Sequence, residues 1–377
     1  MTKFLPYSRQ TIDQTDIDAV SRALEQEQIT RGQRVQEFEK AICERVGAEY
    51  AVAFANGSSA LRAACQAVDV CSFDTLVTTP NTFIATAVAS LDFGAKCHLV
   101  DIDGYANMDI AKLEPAIFNG GSRGRQIFMP VHFAGVAVDM KALSAKIAQR
   151  EAVVIEDASH ALGSLYPDGT AVGSCAYSDM TIFSFHASKN IACGEGGMVT
   201  TNSVELYERL RQIRNSGMNA NYEVERFSCN AHMSELHAAL GLSQLQRLDL
   251  FGQNKQRLLA LYRRELANVA GLTPLPEQAD GRSHYHLFEV HMEFEVLGLE
   301  RAQVIERMKE RGIGVQYHYV PLYVHRAMKP YLRQGKEAFP AMQNHYAKGL
   351  SLPFFSSMQE EDVYRVVEAL RQIVLYP

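Results

Sequence analysis

The sequence predicts an α/β protein in which a large domain on a mostly parallel sheet, helices on both faces, precedes a smaller C-terminal α+β domain. Three observations predict it. From about residue 50 to 200, short β-rich runs alternate with helical stretches, the pattern of a covered parallel sheet. Beyond about residue 250 the alternation gives way to two strand-like runs around one helix and a closing helix. The 377 residues, 47% hydrophobic and 21% charged, can bury a sizeable core and at roughly 150 residues per domain fit two domains. The boundary is expected near residue 250, giving a large domain 1–250 and a small domain 251–377.

In chain order, Thr15-Asp16-Ile17-Asp18 is a capping-box-like start, and Ile17, Val20 and Leu24 follow at helical spacing, so a surface amphipathic helix opens the chain. The strand runs are Ala51 to Phe54, Cys97 to Ile102, Gln126 to Val131, Val153 to Glu156, Thr181 to Phe185 and Met198 to Thr201. A long helical passage runs from Ser234 to about Leu266. His286 to Phe294 then reads as a strand, and Leu299 to Arg311 as a helix with Val304, Ile305 and Met308 on one face, stopped at Gly312. Ile313 to Tyr317 reads as another strand, and Val363, Val366, Val367, Leu370 and Ile373 as the last helix.

Charge excludes some functions. Acidic residues outnumber basic ones 43 to 37, a net charge of −6, and no Lys/Arg-rich run appears, so no nucleic-acid partner is expected. The longest uncharged stretch, Thr75 to Leu91, is rich in threonine and reads poorly as a membrane span. The N-terminal residues lack the apolar core of a signal peptide, so a cytoplasmic location with no membrane partner is the expectation. Seven scattered cysteines with no C-x-x-C pair argue against a disulfide framework and against a metal site.

Four segments carry chemistry. In Phe54-Ala55-Asn56-Gly57-Ser58-Ser59 an apolar strand meets small residues and a helix start, where amides and hydroxyls can hold an anion. In Thr78-Thr79-Pro80-Asn81-Thr82-Phe83 an aromatic follows a polar turn and could stack on a flat ring. Val153-Val154-Ile155-Glu156-Asp157 ends a buried-looking strand in a carboxylate able to hold a protonated ring nitrogen. In Ser184-Phe185-His186-Ala187-Ser188-Lys189 a lysine sits among small and apolar residues before Gly194-Glu195-Gly196-Gly197, a setting that favours a Schiff-base nucleophile. Singly, each has an ordinary reading: a helix cap, a core phenylalanine, a loop acid, a surface lysine. In order, with the aspartate about 100 residues after the turn and the lysine 32 after the aspartate, they meet the needs of pyridoxal 5′-phosphate chemistry.

With those residues in place, the chain resembles the DegT/DnrJ/EryC1/StrS family of sugar aminotransferases along essentially its whole length. Further matches are Val131-His132-Phe133-Ala134-Gly135 with Asp139-Met140, and Asn230 with Met233-Ser234-Glu235. Gly312-Ile313 with His318-Tyr319-Val320-Pro321-Leu322, and Leu350-Ser351-Leu352-Pro353, match in the small domain. The resemblance implies fold type I of the pyridoxal-phosphate-dependent transferases, with a seven-stranded sheet, and a reaction between L-glutamate and a nucleotide-linked keto sugar. It implies Lys189 as the Schiff-base lysine and proton carrier, Asp157 on the ring nitrogen, Phe83 and Ala158 on the ring faces, and His160 at the ring hydroxyl. Ser58, Ser59 and Ser184 would bind the phosphate, joined by Asn230 of the neighbouring subunit in a homodimer with shared sites. Arg31, His318 and Tyr319 are the substrate candidates. His232 and Ser216 depart from the family's usual Arg or Lys and His, which bears on how the amino donor is held. Gln28-Ile29-Thr30-Arg31-Gly32, Ala158 to Ser164 and Gln316-Tyr317-His318-Tyr319 narrow the likeness to members acting on a UDP-linked 4-keto-6-deoxy sugar. A family dehydratase carries histidine in place of Lys189, and a regulatory member would be expected to have lost Lys189 or Asp157. A cysteine enzyme built on Cys193 lacks an evident base.

Overall fold

The computed structural model describes residues 4–113, 124–148, 150–278 and 282–376. Seven strands form the large sheet: β1 (Tyr50–Phe54), β2 (Thr75–Thr78), β3 (Lys96–Leu99), β4 (Gln126–Phe128), β5 (Ala152–Asp157), β6 (Met180–Ser184) and β7 (Gly197–Thr201). Their order is β1-β7-β6-β5-β4-β2-β3, parallel except for β7, which is antiparallel to both β1 and β6. The α/β class and the mostly parallel seven-stranded sheet are therefore as expected. β2 was not among the strands expected, because its threonines read as part of a polar turn.

Helices α1 (Gln14–Leu24), α2 (Gln33–Val46), α3 (Gly57–Ala67), α4 (Ile84–Leu91), α5 (Met140–Ile147), α6 (Val204–Arg214) and α7 (Glu235–Leu245) accompany the sheet. Two buried clusters flank it, one holding Leu61, Ala64, Ile155 and Ile182, the other Phe38, Phe128, Phe183 and Met198. Consecutive strand residues thus face opposite cores, and this double burial gives parallel strands their continuous apolar runs. On α1 the cap is Asp13, two residues earlier than the sequence pattern, and Asp16 completes the box. Its apolar stripe is uncovered: Ile17 is 51% and Leu24 58% exposed, while Asp16 and Ala23 face inward.

The helical passage from Ser234 breaks at Gln246 and Arg247, and α8 (Leu248–Leu266) follows; position 250 falls inside it. A three-stranded antiparallel sheet, ordered β10-β9-β8, contains β8 (Leu272–Pro274), β9 (Phe288–Met292) and β10 (Gly349–Leu352). It packs with α9 (Arg301–Glu310), α10 (Pro340–Lys348) and α11 (Glu360–Leu375), and a third cluster holds Leu258, Val290, Val304, Leu350, Val366 and Leu370. Ile313 to Tyr317 is not a strand. Its backbone instead alternates partners, Ile313 bridging Leu5 and Gln316 bridging Ser351, so the segment serves as a seam between the N-terminus and β10.

Candidate active site

Strands β2, β4, β5 and β6 point their C-terminal ends at one cavity of about 540 Å³, the place where open α/β sheets bind ligands. Its wall includes Ser58, Phe83, Asp157, His160, Ser184 and Lys189, far apart in sequence, and the small-domain residues His318 and Tyr319 close it. Four expected residues lie elsewhere. Ser59 gives its hydroxyl and amide to the Asn56 side chain at 3.0 and 2.8 Å, and Ala158 is buried with its amide on Ile182. Arg31 and Asn230 are exposed outside this cavity, Asn230 accepting from the His232 amide at 3.2 Å.

Asp157 ends β5 with 4% exposure, and both carboxylate oxygens are oriented. Thr86 Oγ1 donates to Oδ2 at 2.7 Å; Ser159 donates to Oδ1 through its hydroxyl at 2.6 Å and its amide at 3.1 Å. Behind it, the Asp157 amide bonds Pro130 and its carbonyl accepts from His132, locking the strand end. One residue back, Glu156 points to the opposite face and accepts from His132 Nε2, Tyr166, Ser178 and Thr181. Burial raises the Glu156 pKa, but these donors outweigh it and the net shift is downward.

Lys189 follows a turn in which its amide bonds the His186 carbonyl at 2.8 Å, and among the described residues nothing accepts from its Nζ. Burial lowers its pKa to about 8 against the opposing attraction of Asp157, so the neutral amine, a trace at the ordinary lysine pKa, becomes a working minority near physiological pH. His160 Nδ1 accepts the Ala134 amide at 3.3 Å, so its ring proton is on Nε2, which meets Tyr319 Oη at 3.1 Å. Burial, helped by the charge of Lys189, holds His160 neutral.

The 11-residue helix α3 opens toward the cavity. Asn56 caps the Ser59 amide, leaving those of Gly57 and Ser58 without an acceptor among the described residues. Gly57 is obligatory: a Cβ there would stand 2.9 Å from Ser184 Cβ, so glycine lets the helix start approach the end of β6. A cradle of free amides and hydroxyls, a ring-sized space beside Phe83, an oriented buried carboxylate and an unpartnered lysine fit pyridoxal 5′-phosphate.

Sequence reasoning missed several wall residues. Thr86 and Ser159, which orient Asp157, carry no signal beyond their type, and Tyr7 and His286 reach the wall from distant segments. Lys189 is the only lysine or arginine on the described wall. His232 is held neutral, its pKa lowered to about 4 by burial and the charges of Arg214 and Arg31. Cys193 is fully buried and burial pushes its thiol far up, the behaviour of a packing residue. Among the described residues no group of His, Cys, Asp or Glu could hold a metal ion, and no helix is long and apolar enough to cross a membrane.

Known proteins resemble this chain over its full extent. The spore coat polysaccharide biosynthesis protein SpsC of Bacillus subtilis is 35% identical, covering 98% of this chain and 97% of its own. The UDP-4-amino-4,6-dideoxy-N-acetyl-β-L-altrosamine transaminase of Campylobacter jejuni is 34% identical with the same coverage. Among solved structures, Helicobacter pylori PseC, an aminotransferase involved in the biosynthesis of pseudoaminic acid, superimposes with a TM-score of 0.91 at 28% identity, over 99% of this chain and 100% of its own. Spr1654 from Streptococcus pneumoniae, solved in its PLP-form, gives 0.89 at 25% identity over 99% of each chain. With the family model matching residues 10–371, this chain belongs to the DegT/DnrJ/EryC1/StrS aminotransferase family and is a pyridoxal 5′-phosphate-dependent sugar aminotransferase.

Proposed function

We propose that the enzyme transfers the amino group of L-glutamate to the C4 ketone of UDP-4-keto-6-deoxy-N-acetyl-β-L-altrosamine, yielding the 4-amino sugar and 2-oxoglutarate. The observation that carries the chemistry is the convergence of Lys189, Asp157, Phe83, His160, Ser58 and Ser184 on one cavity. Full-length similarity to a transaminase of that name supports the choice of sugar.

When bound, pyridoxal 5′-phosphate supplies a carbonyl carbon for amino groups and an electron sink for the carbanion. The chain's residues do the rest. Lys189 Nζ takes the α-proton of glutamate and, in the sugar half-reaction, returns a proton to C4; a pKa near 8 suits both directions. Asp157, oriented by Thr86 and Ser159, keeps the ring nitrogen protonated. Ser58, Ser184 and the free amides of Gly57 and Ser58 would hold the phosphate, Phe83 would cover one ring face, and His160 would meet the ring hydroxyl; Ala158, buried behind Asp157, does not line the cavity. His318 and Tyr319 face the sugar.

The active form in this reading is a cytoplasmic homodimer. The cavity needs more positive charge than Lys189 for a diphosphate, while Arg31 and Asn230 stand exposed outside their own site. Exposed Ile17, Leu24 and Phe227 supply apolar surface for a second copy. The experiment is a panel of UDP-, dTDP- and GDP-linked 4-keto and 3-keto sugars with glutamate, followed by 2-oxoglutarate release. Preference for the altrosamine precursor supports the reading, and preference for another sugar replaces it.

A further inference from the structure

The small domain contains a carboxyl group that the mechanism above does not use. Glu289 lies on β9 with 3% exposure, and its Oε1 is buried without a hydrogen bond. Its other oxygen, Oε2, lies 3.5 Å from Ser351 Oγ on β10, and that hydroxyl lies 2.7 Å from Nδ1 of His318. His318 lines the cavity, and its Nε2 has no partner among the described residues. The line Glu289–Ser351–His318 thus runs from the interior of the small domain to the substrate space.

A hydroxyl between a carboxyl and an imidazole transmits one proton's worth of information. With Glu289 protonated, its O–H donates to Ser351, Ser351 donates to His318 Nδ1, and the imidazole proton sits on Nε2, a donor toward the cavity. When Glu289 releases its proton to solvent, Ser351 turns to donate to the carboxylate and accepts from His318 Nδ1–H. Nε2 becomes an acceptor, and the imidazole keeps a single proton throughout.

We infer that Glu289 is a positioning residue for His318: through the Ser351 hydroxyl, its protonation state decides whether His318 Nε2 offers the substrate a donor or an acceptor. The other groups facing Glu289 are His345 on α10, with Nε2 3.4 Å from Oε1, and Arg301 on α9; Tyr319 lies in its electrostatic reach. His345 cannot neutralise the carboxylate, because burial lowers its pKa to about 4 and it is engaged with the His318 carbonyl and His291. Burial, only partly offset by Ser351 and Arg301, raises Glu289 to about 8, and burial holds His318 neutral with a pKa near 3. The donor form therefore prevails at neutral pH. A diphosphate and a ketone offer only acceptors, so this form binds a nucleotide-linked keto sugar; the substrate half of the inference rests on the function proposed above.

The test uses the full-length enzyme with ¹⁵N-labelled histidine. In wild type, the His318 NMR signals should pass from the Nε2–H to the Nδ1–H tautomer as pH rises through about 8. In Glu289→Gln the amide donates to Ser351 permanently, so the Nε2–H tautomer should persist at every pH. With substrate, wild-type kcat/KM for the sugar should fall about tenfold more than that of Glu289→Gln across the same range, the factor for one lost buried hydrogen bond. Lys189 titrates nearby, so the difference between the two proteins is the readout. Ser351→Ala should abolish the tautomer change by cutting the link. A His318 tautomer insensitive to pH in wild type, or one that still switches in Glu289→Gln or Ser351→Ala, overturns the inference. The tautomer arm needs no sugar and stands apart from the sugar assignment.

Discussion

Replacing Asp157 by asparagine separates the two things its carboxylate does, holding charge and accepting hydrogen bonds. Ser159 presents two donors to Oδ1, one a fixed amide, whereas Oδ2 receives only the Thr86 hydroxyl. The asparagine oxygen will therefore face Ser159, with its NH₂ toward Thr86, whose hydroxyl can turn to Thr82 Oγ1 at 2.7 Å. The folding cost should be at the low end of a lost buried hydrogen bond, about 1 kcal/mol. The electrostatic loss is larger. A unit charge pair about 4 Å apart at an effective dielectric near 20 is worth about 4 kcal/mol. At 1.36 kcal/mol per pKa unit, that lowers the proton affinity of the ring nitrogen by about three units. The glutamate half-reaction, followed by stopped-flow absorbance of the bound cofactor, should slow by about a thousandfold while thermal denaturation shifts little. A variant within tenfold of wild type at unchanged stability would refute the role given to Asp157.

Other predictions are as direct. Gly57→Ala should force α3 away from Ser184, at about 1–3 kcal/mol of strain, and weaken cofactor binding at least tenfold in a fluorescence titration. Unchanged affinity would mean the phosphate does not sit at that helix start. Because the folded pKa of Glu156 lies below its unfolded value, its contribution is present above the ordinary carboxylate range and lost as pH falls through the folded pKa. Urea midpoints against pH should therefore show Glu156→Gln less stable than wild type at neutral pH, with a smaller loss on acidification; parallel curves would contradict this. If the proposed dimer shares its sites, Lys189→Ala and Asn230→Ala should each be inactive alone, and mixing them should restore about a quarter of wild-type activity, since half the dimers would carry one intact site. No recovery after subunit exchange would place each site within a single chain.

The site was legible where chemistry sits at strand ends. Asp157, Ser184 and Lys189 follow runs whose apolar character marks buried strands, so their polarity stood out. Thr86 was not legible, because a threonine in the first turn of a helix has many uses and its aspartate is 71 residues away. Tyr7 reaches the wall because Leu5 pairs with Ile313 and Tyr7 accepts from the Phe354 amide, contacts set by the meeting of distant segments. That same exchange of partners explains why Ile313 to Tyr317 looked like a strand without being one. The spacing of Ile17 and Leu24 makes α1 amphipathic, but periodicity does not say which face is covered; within one chain it is the polar face, where Asp16 meets Arg247 and Gln244.

The measurement closest to the central claim follows the cofactor spectrum of the purified, loaded enzyme through each half-reaction. Glutamate alone should remove the visible band of the lysine-bound pyridoxal form and release one equivalent of 2-oxoglutarate per site, and the keto sugar should restore it. Lys189→Ala should show neither the band nor its cycling. A wild-type band that persists at saturating glutamate would contradict the account.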